Sequence, residues 1–128
     1  MLSRVVERNV KHFPFLQILL ATGVVTSPNY PDNYPNNLEK TETIQVEEGL
    51  IISLQFTAFD IESDSPCPYD HLTITDGDGT PLMEKTCGST LPSNITSVTN
   101  VVNALFRANA NVTESGWSVS WSAVTPGV

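Results

Sequence analysis

Two runs alternate apolar and polar residues with a period of two, and that most limits what this chain can fold into. In the first, Leu50, Ile52, Leu54, Phe56 and Ala58 alternate with Ile51, Ser53, Gln55, Thr57 and Phe59. In the second, Trp117, Val119, Trp121 and Ala123 alternate with Ser118, Ser120 and Ser122. Successive strand side chains point to opposite faces, so each run predicts a strand with one buried face. Leu72 and Ile74 followed by the Asp76–Gly79 tip predict a hairpin into Pro81–Thr86, and Val102, Ala104 and Phe106 mark a further strand. No helical period competes from Gly23 onward. Short strands separated by Pro, Gly and Asn turns predict an all-β fold, an antiparallel β-sandwich.

The chain has 128 residues, enough for one domain with a real core and too few for two. Its net charge of −8 argues against a nucleic-acid partner, which Lys and Arg would have to neutralise. The acidic residues crowd into one region, as Asp60, Glu62, Asp64, Asp70, Asp76 and Asp78. Such crowding requires wide spacing, full solvation or a cation.

Cys67 and Cys87 are in neither a CxxC nor a Cys/His cluster, which speaks against zinc. They form a disulfide, contributing on the order of 3 kcal/mol, or remain two buried thiols. The sequons at Asn94 and Asn111 lean toward secretion and glycosylation. At the N-terminus, Arg4, Arg8, Lys11 and His12 precede the apolar run Phe13–Ala21. This is the charge order of a signal peptide, and residues 1–22 are expected to be a leader or signal-like segment. The run of about nine residues is far short of a membrane span.

Five fragments carry a family resemblance: SPNYPDNYPNN (Ser27–Asn37), FDIE (Phe59–Glu62), CPYDHLTITDG (Cys67–Gly77), CG (Cys87-Gly88) and GW (Gly116-Trp117). In this order and spacing they resemble a CUB domain, over residues 23–124, with 125–128 opening a linker. The resemblance implies a CUB-like jelly-roll, secreted or extracellular, that binds a protein or glycan as part of a larger multidomain protein. The family commonly has a further disulfide, whose second cysteine and nearby tryptophan fall at Lys40 and Glu42 here. The chain is therefore similar to the one-disulfide first CUB domains of complement-initiating proteases, with Cys67 and Cys87 as its disulfide. Glu42 shares a face with Ile44 and Val46, so its carboxylate must reach the rim or find a partner.

The resemblance also implies Ca²⁺. In the calcium-binding subset, the Glu of FDIE, the Asp of YD and an Asp on the loop before the last strand hold the ion. Here these are Glu62, Asp70 and Asn109, with Tyr34 matching a tyrosine that hydrogen-bonds the ligating Glu in the next shell outward. Calcium is a hard cation that takes six to eight oxygens, so carboxylates mixed with an amide suit it. Asn at 109 removes one charge, and the expected dissociation constant is on the order of 10⁻⁴–10⁻³ M. Asp64, Asp76 and Asp78 are expected to be solvated turn formers.

No HExxH, GxSxG or phosphate loop occurs, and no catalytic residue is assigned. His71 falls on the polar face of its strand and is expected to be an exposed surface histidine. The expected function is that of a non-catalytic interaction module. An extracellular protein partner would offer a basic side chain to a calcium-ordered acidic site. The alternatives are a calcium-free structural or glycan-binding CUB domain, or a targeting domain of a larger secreted protease.

Overall fold

The computed structural model describes residues 21–109 and 112–127. The signal-like segment up to residue 20, with His12, lies outside the described residues, as does Asn111. Eight strands follow in order: β1 (Thr22–Thr26), β2 (Leu38–Gln45), β3 (Ile51–Asp60), β4 (His71–Asp76), β5 (Pro81–Thr86), β6 (Ile95–Thr96), β7 (Val101–Ala108) and β8 (Gly116–Val124). They form two antiparallel four-stranded sheets, β1-β8-β3-β6 and β2-β7-β4-β5, packed as a sandwich.

The alternating residues make the core. Ile52, Leu54 and Phe56 of β3, Trp117, Val119, Trp121 and Ala123 of β8, Leu72 and Ile74 of β4, and Val102, Ala104 and Phe106 of β7 are all buried. Each large side chain of this kind contributes roughly 1.5–3 kcal/mol by leaving water. Alternation fails at one place. The β3–β8 register jumps between Phe56 and Ala58, leaving Thr57 unpaired, so Phe59 enters the core where Ala58 was expected. A β-bulge adds one residue and reverses the faces beyond it. Ile61 is buried as a result, and Glu62 is delivered to the rim.

Phe106 and Trp117 cross between the sheets, with ring centroids 5.9 Å apart, and Tyr34 meets Phe106 edge-on at 4.9 Å. This aromatic chain fixes Tyr34 at one end of the sandwich. Gly116 closes the same end with φ +93° and Ser27 Oγ only 1.9 Å from where a Cβ would lie. The space belongs to Ser27, whose hydroxyl accepts the Trp117 N–H at 3.0 Å, so only glycine fits there. At β2, Glu42 finds its partner in Lys40, whose Nζ lies 3.6 Å away, both side chains being partly exposed at the rim.

Asp76 corrects an expectation. It is not a solvated turn former but is buried at 1% exposure. Its Oδ1 accepts the Gly77 N–H (2.9 Å), the Thr99 N–H (3.0 Å) and the Thr99 hydroxyl (2.5 Å), and Oδ2 accepts the Val98 N–H (2.6 Å). Burial alone would raise its pKa, but the bonds from Thr99, Val98 and Gly77 outweigh burial and hold it low. Ser97, next to these donors, exchanges hydrogen bonds with Ile52 of the opposite sheet. The carboxylate therefore links the β4–β5 hairpin to a loop already bonded to the other sheet. Asp64 and Asp78 are exposed, and each accepts a nearby backbone N–H, as turn formers do.

Cys67 and Cys87 are joined in a disulfide, with Cα atoms 5.7 Å apart. Beside it, Ile61 and Gly88 exchange two backbone hydrogen bonds of 2.9 Å. Both links clamp the acidic loop between β3 and β4 onto the segment after β5. Peptide mapping of the folded protein without reduction is expected to recover a single Cys67–Cys87 linked pair. Two alkylatable thiols would contradict that pairing.

Candidate metal centre

The acidic site forms where the bulged end of β3, the start of β4 and the end of β7 meet. Asp70, just before β4, is fully buried, at 0% exposure. Its Oδ2 accepts the Tyr34 hydroxyl at 2.6 Å, and its Oδ1 accepts the Asn109 backbone N–H at 2.8 Å. The same phenol oxygen accepts the backbone N–H of Glu62 at 3.1 Å. One tyrosine and one aspartate thus bring Glu62, Asp70 and Asn109 together. Tyr34 acts differently from expectation: its hydroxyl donates to Asp70 and takes the Glu62 main chain, not the Glu62 carboxylate. Burial, followed by the hydrogen bond to Asp70, raises the phenol's pKa, so it stays a protonated donor.

Glu62 is the strained partner. Its Oε1 is buried without a hydrogen bond. Its pKa is raised by burial first, then by the negative charges of Asp70, Asp64 and Glu114. An ionised carboxylate has about four lone-pair sites, and the bonds from Tyr34 and Asn109 leave Asp70 with acceptor capacity. An acceptor-rich, donor-poor, negatively charged centre of this kind suits a hard cation. No group of three or more His, Cys, Asp or Glu suited to a metal occurs among the described residues. Glu62 and Asp70 bring two carboxylates to this place, and the Asn109 loop beside them is held by the Asn37 N–H on the Asn109 carbonyl at 2.8 Å.

Reading the sequence missed Glu114. Its carbonyl accepts the Tyr34 N–H at 3.1 Å, and its charge bears on Glu62. It lies in the loop before β8, and no spacing rule connects it to residue 62. His71 also departs from expectation. It faces outward from the core, yet it is buried, at 7% exposure. Pro68 and Tyr69 lead toward it and, with Lys85 and Arg107, line a cleft beside it. Burial, then the nearby Lys85 and Arg107, lower its pKa. No catalytic arrangement forms around it.

The profile of the CUB domain family matches residues 17–121. Mannan-binding lectin serine protease 1 of Mus musculus is 41% identical over 105 residues, covering 80% of this chain and 15% of that protein. The full extracellular region of zebrafish Gpr126/Adgrg6 superposes with a TM-score of 0.75 at 30% identity, over 82% of this chain and 14% of that one. The MASP-1 CUB2 domain bound to Ca²⁺ superposes with a TM-score of 0.72 at 38% identity, over 78% of this chain and 90% of that one. The chain thus spans a small fraction of the full-length relative.

Proposed function

We propose, from the premise that this chain belongs to the CUB domain family, that it is a calcium-ordered extracellular interaction module without catalytic activity of its own. The observation that carries this is the convergence of Glu62, Asp70 and Asn109 on the Tyr34 hydroxyl and the Asp70 carboxylate, with Glu62 Oε1 buried and unpaired. The Ca²⁺-bound relative with the same fold supports the choice of ion. Calcium, when bound, would supply the positive charge that the site lacks. Glu62 and Asp70 would hold it as carboxylates, and Asn109 would offer its amide oxygen. Tyr34 keeps Asp70 oriented, and the disulfide keeps the acidic loop in place.

Carboxylates fixed in this way still have oxygens to offer to a Lys or Arg of a protein partner, so that contact would need calcium and weaken with salt. Extracellular placement is supported by the disulfide and by the zebrafish extracellular region sharing the fold. No helix among the described residues is long and apolar enough to cross a membrane. A larger multidomain host fits the small share of its relatives that the chain spans.

Calorimetry tests the ion. Free calcium at ten times its Kd is expected to add about 1.4 kcal/mol to stability. Asn109→Asp is expected to bind calcium more tightly, because a third carboxylate adds charge. An unchanged Tm with and without chelator at millimolar calcium would leave a calcium-free CUB domain. Asn94 is exposed just before β6, so a glycan there would stand clear of the site. Intact glycopeptide analysis is expected to find Asn94 the better acceptor of the two sequons, and occupancy of Asn111 alone would contradict this.

A further inference from the structure

The stretch that carries Glu62 is tied down at both ends to the same place. Ile61 exchanges backbone hydrogen bonds with Gly88, and Cys67 is bonded to Cys87, the residue next to Gly88. Residues 61–67 therefore form a small ring against Cys87 and Gly88, closed covalently by the disulfide. Glu62 and Asp64 lie within the ring. Asp70 lies outside it and is held separately, by the Tyr34 hydroxyl and the Asn109 N–H. Ser63, Asp64, Ser65 and Pro66 are exposed, so the sandwich core does not hold this stretch. Cys67 sits at φ +65°, a left-handed conformation uncommon in a residue with a Cβ. A chain released from the disulfide is free to leave it.

The charges here oppose the shape of the ring. Asp70, Asp64 and Glu114 all bear on the Glu62 carboxylate, and like charges held close together repel. Among the described residues no ion pair reaches these acids. A bound cation and the covalent closure would each hold the carboxylates in place against that repulsion. Each reduces the ordering that the other must bring about, which is positive coupling between them.

We propose that the Cys67–Cys87 disulfide sets the calcium affinity of the acidic centre, an inference that rests on calcium being its ion, and that a dithiol reductant switches the module off. In that step the dithiol gives up two electrons and two protons, the Cys67–Cys87 bond breaks to two thiols, and the reductant closes to a cyclic disulfide. Both cysteines are half-buried beside exposed neighbours, within reach of such a reductant. Reduction lets residues 62–67 spread and withdraws Glu62, while Asp70 keeps Tyr34. The sheet ladders involve neither sulfur, so the sandwich is expected to stay folded. By reciprocity, calcium raises the resistance of the disulfide to reduction by the same factor.

Calorimetric titration of calcium into the full chain tests this, with the chain oxidised, reduced by dithiothreitol, and as Cys67→Ser/Cys87→Ser. The oxidised chain is expected to bind about tenfold more tightly than the other two. Saturating calcium should shift the equilibrium with dithiothreitol about tenfold toward the disulfide, or about 30 mV. Asp76→Asn, weakened at the opposite end of β4 with the disulfide intact, should keep the wild-type Kd, which separates the ring from a general loss of stability. Equal affinity of the oxidised and reduced chains would overturn the inference and leave the calcium centre standing. So would an unfolded double-serine variant, because the coupling would then belong to the whole fold. Absence of calcium binding by the oxidised chain would overturn both.

Discussion

Asp76→Ala is expected to destabilise the domain by about 4 kcal/mol, a large share of the total stability of a small domain. The side chain is buried, and its removal strands the N–H groups of Gly77, Val98 and Thr99 together with the Thr99 hydroxyl. Hydrogen bonds to a charged acceptor are each worth about 1.5–3 kcal/mol, and not all can be replaced by water in a buried site. For a domain of this size the shift in Tm should be on the order of 20 °C. Asp76→Asn separates charge from shape, because it keeps one oxygen acceptor and loses the other.

The acid limb of stability follows from the same group. A carboxyl whose folded pKa is held low contributes stability that is fully present above its unfolded value, about 3.9. That contribution is lost as pH falls through the lower folded value. Wild-type stability should therefore drop more steeply in acid than that of Asp76→Asn, measured by urea unfolding across the carboxylate range. Parallel curves for the two proteins would show that the Asp76 charge contributes nothing.

Asp70→Ala is the other large effect, with two separable parts. Without calcium it is expected to cost about 3 kcal/mol, because the buried Tyr34 hydroxyl and the Asn109 N–H lose their acceptor. Part of this is offset, since Asp70 is a like charge acting on Glu62. With calcium at ten times the wild-type Kd, the variant should also forfeit the increment of about 1.4 kcal/mol. Glu62→Gln behaves oppositely in chelator. It removes the charge that Asp70, Asp64 and Glu114 oppose, so it should unfold no more easily than wild type, yet lose its calcium response. Thermal unfolding of both variants with and without calcium distinguishes an ion site from a merely structural cluster. A calcium increment retained by Glu62→Gln would remove Glu62 from the donor set.

What could be read from the sequence was local. β3 and β8 show their buried faces in the alternation of Leu54 with Gln55 and of Trp121 with Ser122, because the period of a strand is written in neighbouring residues. That Glu62, Asp70 and Asn109 come together was legible through a family pattern of fixed order. Asp76 was not, because its donors at Val98 and Thr99 arrive from another loop and nothing in the Asp76–Gly79 tip announces them. His71 was assigned to the correct face but the wrong exposure. Face follows from chain geometry, whereas exposure depends on the segment that covers it. The reversal after Phe56 was likewise hidden, since Ala58 and Phe59 are both apolar and fit either face.

That reversal at Thr57 makes β3 a strand in two phases. Up to Phe56 the even-numbered residues are the inner ones, and from Phe59 the odd-numbered ones are. Absorbing Thr57 into the ladder as an ordinary strand residue would turn Phe59 and Ile61 toward water, and Asp60 and Glu62 toward the core. Deleting Thr57 would instead leave an unbroken strand with those four residues on their present faces. The bulge therefore acts as a frame marker for everything downstream of it. The acidic rim keeps its face because the ladder passes over one residue there.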